Sequence, residues 1–198
     1  VSGSYVIVNS KWEIIDGQHR VMTAMKLNIP ITYCMERKSN EKTMRTLNTG
    51  GDNWLMNDHL HGLVEDGNPH YVKLQNFMKE FPELKITECL MLCKNMYTSV
   101  PRGTFESGEF TTRDMNIART WGGYVMRMKP FAKYYNSGIF VRALIVCLGK
   151  ECFNFEEFIH KVELRPTSLV KCGTREQYIQ LFENIYNYRR SDKVNLRY

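Results

Sequence analysis

No stretch of this chain approaches the ~18 consecutive apolar residues that a membrane-spanning helix needs. Its opening residues, VSGSYVIV, lack the basic segment and long apolar core of a secretory leader. The six cysteines (Cys34, Cys89, Cys93, Cys147, Cys152 and Cys172) contain no C-x-x-C pair. Scattered through apolar surroundings, they read as reduced thiols, not as a disulfide framework or a structural zinc site. G-x-S-x-G, H-E-x-x-H and G-x-x-x-x-G-K-[ST] are missing too, which removes several hydrolase and NTPase classes. There is no internal repeat and no low-complexity tract. These absences predict a cytoplasmic protein with no membrane partner. Because the chain opens on Val1 and not on a methionine, a start inside a longer natural chain, with a further N-terminal strand before it, is also an expectation.

What is present is enough for one substantial domain or two small ones: 198 residues, 43% of them hydrophobic. A formal charge of +6 favours an anionic partner, although 27 basic against 21 acidic residues describe a mixed surface. YVIVN (5–9) and WEII (12–15) are β-branched and aromatic runs around Ser10 and Lys11, the pattern of a hairpin. From Gln18 the apolar period lengthens to that of a helix stopping near Asn28, and IPITYCM returns as a strand. Beyond Ser39 helical patterns dominate, over about 40–48, 54–66, 69–80, 86–95, 111–135, 138–149, 154–164 and 174–189. Breaks fall at TGGDN (49–53), SVPRGTFESGEF (99–110) and RPTSLVKCGT (165–174), and the middle one, with a proline and two glycines, predicts a linker. The fold class is therefore α+β, a small α/β head followed by a mostly helical body.

Chemistry concentrates at DGQHR (16–20), between the second strand and the first helix. Gly17 permits positive φ and close approach by a ligand, and the N–H groups of Gln18, His19 and Arg20 open the helix without intrahelical partners. The helix dipole, the planar Arg20 fork and an imidazole at His19 that can donate or accept a hydrogen bond all suit a phosphate. Asp16 opposes that reading by repulsion, unless it orients Arg20, contacts a ribose hydroxyl or holds Mg²⁺. The plain alternative is that Asp16 caps an ordinary helix whose first turn is solvated.

The run IIDGQHRVMTAMKLNIPITY (14–33) resembles the nucleotide-binding motif region of the ParB/sulfiredoxin superfamily, which carries a G-x-x-R or G-C-H-R turn after a strand and before a helix. The resemblance implies a turn that binds the phosphates of a nucleoside triphosphate, CTP or ATP, with Gly17 as the family glycine. His19 stands at the histidine of the sulfiredoxin form, and Arg20 at the phosphate-binding arginine. Gln18 replaces the catalytic cysteine of sulfiredoxins, which removes peroxiredoxin repair, and Thr23 stands where the partition form has alanine. LNTGGDNWLMNDHL (47–60) looks like the segment after this turn in DGQQR-type modules of modification-dependent restriction systems, and it brings Asn48 into the implied nucleotide site. ITECLMLC (86–93) lies where partition proteins carry a helix-turn-helix, though without the turn glycine. The implied organisation is a head over 1–48, a helical extension over 49–110 and a C-terminal helical domain over 111–198, in a phage or bacterial protein.

Functional readings from three classes remain open. In the first, a nucleotide switch acts on or near DNA through Gly17, Gln18, His19, Arg20, Thr23 and Asn48, with Mg²⁺ at Asp16. In the second, a Mg²⁺-dependent nuclease uses Asp16 and His19 as catalytic residues, although only Glu13 adds a nearby carboxylate. The third is an adaptor with an empty nucleotide fold. A homodimer is an open assembly. For DNA contact, the stretch 111–142 offers Arg113, Arg119, Arg127, Lys129, Lys133 and Arg142 against the single acid Asp114, interleaved with aromatics. The tail adds Arg189, Arg190, Lys193 and Arg197, read as a soluble end. His59 and His61 fall about 200° apart on a helix and cannot share a metal; His70 and His160 read as structural.

Overall fold

The computed structural model describes residues 5–35 and 55–197, which belong to two compact units, residues 1–55 and 56–198. In the first unit, β1 (Val6–Val8), β2 (Ile14–Asp16), α1 (Gln18–Leu27) and β3 (Tyr33–Met35) follow one another. The sheet order is β2-β1-β3, with β1 antiparallel to β2 and parallel to β3. Asn9 closes the hairpin: its side-chain oxygen accepts the N–H groups of Lys11 and Glu13, both at 2.9 Å, while Trp12 takes a left-handed φ of 65°. Alternation along β1 sends Val6 and Val8 to the inner face, where Ile15 and Ala24 join them. Asn28, at φ 51°, ends α1 in the left-handed region, and the Ile29 N–H reaches back to the Ala24 carbonyl at 3.0 Å. The expected strand–strand–helix–strand order is present, with β2 running one residue further than Ile15.

The second unit is helical: α2 (Met56–Glu65), α3 (Pro69–Glu80), α4 (Ile86–Cys93), α5 (Arg102–Glu106), α6 (Met115–Arg127), α7 (Gly138–Leu148), α8 (Phe155–Leu164), a 3₁₀ turn (Pro166–Ser168) and α9 (Arg175–Tyr186). Local chemistry sets the starts. Asn68 accepts the His70 N–H ahead of Pro69, Asp114 accepts from Asn116 and Ile117, and Thr174 forms a capping box with Gln177. At the centre, Phe140 of α7 meets Tyr178 and Phe182 of α9, each at 5.3 Å between ring centroids, and Phe158 of α8 meets Phe182 at the same distance. Such edge-to-face rings add ~0.5–1.5 kcal/mol per pair beyond burial. Glu88, only 3% exposed, accepts from the Thr87 hydroxyl and lies against Gly138, where the positive end of α7 favours a carboxylate.

Four sequence expectations need correction or placement. The stretch 99–110 is no linker, because Phe105 and Phe110 are fully buried around Tyr71, whose hydroxyl donates to the Phe105 carbonyl at 2.6 Å and accepts the Phe110 N–H at 3.3 Å. Two aromatic anchors outweigh the loop signal of one proline and two glycines. The helix expected over 111–135 is regular only from Met115 to Arg127: Asp114 caps its start, and Pro130 cannot continue an α-helix. The helix expected over 40–48 lies outside the described residues. ITECLMLC does form a helix, yet Glu88, Cys89, Leu90, Met91, Leu92 and Cys93 are all buried, so it serves the core and offers no face to DNA.

Candidate functional site

β2 delivers Asp16 to the end of the sheet, and Gly17 makes the change of direction at φ 95°. A Cβ on Gly17 would stand 3.1 Å from Val6 Cγ2 and 3.3 Å from Val6 Cα, so the turn runs tight against β1. Glycine is required there twice, for its backbone angle and for its missing side chain. No side chain caps the start of α1, which corrects the reading of Asp16 as an N-cap. The first backbone bond of the helix is Val21 N–H to the Gly17 carbonyl, at 3.0 Å. The N–H groups of Gln18, His19 and Arg20 precede it and meet no acceptor among the described residues.

Asp16 turns to Arg20 instead. Arg20 Nη2 donates to Asp16 Oδ2 at 2.9 Å, and Nη1 donates to the Tyr5 carbonyl at 2.6 Å. Both side chains of the ion pair are about one-third exposed, at 38% and 32%, so its net worth is ~0–1 kcal/mol and its effect is directional. Two of the five guanidinium N–H groups are used and three remain. Glu13 is occupied elsewhere, accepting from Asn9 Nδ2 at 2.5 Å.

Arg20 borders a cleft of about 630 Å³ lined by Tyr5, Val6, His19, Arg20, Thr23, Ala24 and the run Ile29 to Thr32. That volume suits a small organic ligand. The cleft has a polar end at His19, Arg20 and Thr23 and an apolar wall at Ile29, Pro30 and Ile31. Thr23 spends its hydroxyl proton on the His19 carbonyl at 2.8 Å, leaving its oxygen as an acceptor. Of the residues singled out in the sequence, His19, Arg20 and Thr23 share this cleft. Asp16, Gly17 and Gln18 are not among its lining residues, and Asn48 lies outside the described residues. Sequence reasoning missed the Tyr5 carbonyl and the wall from Ile29 to Thr32. Asn28, a residue type that tolerates the left-handed region, followed by Pro30 was the available signal for a turn after α1.

No group of three His, Cys, Asp or Glu side chains gathers in a metal-holding arrangement among the described residues, and no hydrogen bond joins Asp16 to His19. His59 is buried in the core and His61 is exposed beside Glu65. His70 Nδ1 accepts the Thr112 N–H at 3.1 Å, pinning the segment before α6.

Three of the six cations of the basic stretch 111–142 are paired with carboxylates. Arg119 forks onto Glu80 at 2.8 and 3.1 Å, Arg127 onto Glu156 at 2.5 and 2.8 Å, and Lys129 reaches Glu83 at 2.8 and 2.7 Å. Hydrogen bonds from Lys129 and Tyr135 hold the Glu83 carboxyl below its usual range, and the Arg127 hydrogen bond does the same for Glu156. The interleaved aromatics pack inward; Tyr124 stacks on Phe155 at 4.0 Å.

No helix among the described residues is long and apolar enough to cross a membrane. Comparison with protein families, with curated proteins and with solved structures finds no match for this chain.

Proposed function

We propose that the turn from Gly17 to Arg20 binds the phosphate groups of a nucleotide, and that the helical unit engages nucleic acid, so that the protein acts as a nucleotide-responsive partner of DNA. The observation that carries the first half is the conjunction at α1: an uncapped helix start, reached through a left-handed glycine, next to an arginine held by Asp16 and the Tyr5 carbonyl. In this reading Gly17 makes the tight turn against β1 that leaves the N–H groups of Gln18, His19 and Arg20 at the uncapped start of α1, where phosphate oxygens accept from them. Arg20 supplies two-pronged contacts from its remaining N–H groups, its side-chain entropy already reduced by its two anchors. His19 hydrogen-bonds at the rim of the cleft, and the wall from Ile29 to Ile31 receives the less polar part of the ligand.

Asp16 serves the ligand through Arg20 and not by direct contact. Among the described residues the turn offers one carboxylate, already bonded to Arg20, and that donor set does not fit a metal ion. Nucleotide binding would shift the populations of whatever conformations differ in affinity for it. Calorimetric titration of CTP, ATP, GTP and UTP, each with and without Mg²⁺, tests the reading. Saturable binding of at least one is expected, and binding by none would overturn it.

A further inference from the structure

Many arginines of the helical unit face a carboxylate: Arg119 meets Glu80, Arg127 meets Glu156, Arg190 meets Glu157 and Arg197 meets Glu183. Arg165 and Arg189 depart from that pattern. Arg165 ends α8, Arg189 follows α9, and both are exposed without an ion pair among the described residues. Their guanidinium carbons lie over one aromatic ring, that of half-buried Tyr188, at 4.6 and 5.2 Å from its centroid. The two cations are therefore no more than about 10 Å apart. Lys161 fixes the same residue from the backbone side, donating to the Tyr188 carbonyl at 2.9 Å.

The arrangement is set by the chain. Arg189 has a left-handed φ of 54°, which non-glycine residues seldom adopt. Its neighbour Arg190 is sent the other way, over Tyr186 at 4.9 Å and onto Glu157 at 2.8 Å. Of the carboxylates close by in sequence, Glu157 faces Arg190 and Glu163 lies 3.9 Å from His160, while Arg190 also donates to the Asp192 backbone carbonyl. A carboxylate partner cancels an arginine's charge, whereas an aromatic ring holds the guanidinium in place and leaves the charge intact. Cations also suit helix C-termini, but that effect does not require two guanidiniums on one ring.

We propose that Arg165, Tyr188 and Arg189 form a contact surface for a single-stranded nucleic acid, binding its phosphodiester backbone without reading its sequence. This deepens the nucleic-acid half of the function proposed above and is independent of the nucleotide turn. Two pinned, uncompensated forks meet phosphate oxygens on one strand. The exposed guanidinium planes also offer stacking surfaces to bases. An acidic peptide would use the charge alone.

The test is fluorescence anisotropy of a labelled single-stranded oligonucleotide with the full chain over a series of salt concentrations. The wild type is expected to bind with an affinity that falls as salt rises. The double variant Arg165→Gln/Arg189→Gln should lose ~10- to 100-fold at low salt, with a salt slope reduced by about 1.4, the value for two phosphates on a single strand. Arg165→Lys/Arg189→Lys should keep most of the slope while binding more weakly, and Arg119→Gln should keep the slope in full. A thermal melt of each variant guards against unfolding. If the wild type binds but the double Gln variant keeps its slope, the surface is wrong while the nucleic-acid reading stands. No binding by the wild type overturns both and leaves the nucleotide turn untouched. Equal competition by polyglutamate would make the partner an acidic protein and overturn the proposal.

Discussion

Replacing Gly17 by alanine tests whether the turn is a built feature. The native φ of 95° lies where an L side chain is strained, and for a single residue this costs ~1–2 kcal/mol. The new Cβ would stand 3.3 Å from Val6 Cα, a backbone atom in the middle strand that cannot rotate aside, and 3.1 Å from Val6 Cγ2. Against this, alanine restricts the unfolded chain and returns about 0.4–1 kcal/mol. Strain and contact together outweigh that gain, so Gly17→Ala should destabilise the first unit by ~1–2 kcal/mol. Hydrogen exchange reads this locally: amides around Val6, Ile15 and Ala24 should exchange ~5- to 30-fold faster, with core amides of the helical unit as internal reference. Unchanged or slower exchange would refute the reasoning.

Tyr71→Phe removes the hydroxyl that joins Phe105 to Phe110 and leaves a buried carbonyl and a buried N–H without it; chemical denaturation should show a loss of ~2–3 kcal/mol. Burial pushes the thiols of Cys89 and Cys147 up to about 12, and that of Cys93 higher still. Exposed Cys34 and Cys152 should therefore react first with maleimide at neutral pH, with the three buried thiols labelled only on unfolding, as mass spectrometry can follow. Because Lys129 and Tyr135 depress the Glu83 carboxyl, its contribution is present above the unfolded value and is lost as pH falls through the lower folded one. Glu83→Gln should accordingly flatten the acid limb of a urea-stability profile taken below about pH 4.5.

The helix starts were legible because their chemistry is local: Pro69 after Asn68, and Gln177 three residues beyond Thr174, announce themselves in sequence. The DGQHR turn was legible for the same reason, since a glycine between a β-branched run and a helical period has few other uses. What sequence concealed was non-local. Arg20 finds the Tyr5 carbonyl fifteen positions away, and Phe105 and Phe110 find Tyr71 across more than thirty. The pairing within the basic stretch was not legible because charge composition says nothing about partners; Glu80, Glu156 and Glu83, each far away in sequence, take up Arg119, Arg127 and Lys129. Conversely, a tail read as a soluble end shares the Tyr188 ring between its own Arg189 and Arg165 at the end of α8, more than twenty positions away.

The central claim, that Arg20 is a phosphate grip and not merely a first-turn residue, is tested most directly by nucleotide titration of the wild type, Arg20→Ala and Arg20→Lys, each paired with a thermal melt. A two-pronged charge-assisted contact is worth ~2–4 kcal/mol, so Arg20→Ala should weaken binding by about 30- to 1000-fold. Arg20→Lys should recover only part of it, since an ammonium keeps the charge and loses the fork. The melt should move little, because the Asp16 pair is about one-third exposed and of small net worth. Equal nucleotide affinity in the wild type and Arg20→Ala would contradict the account.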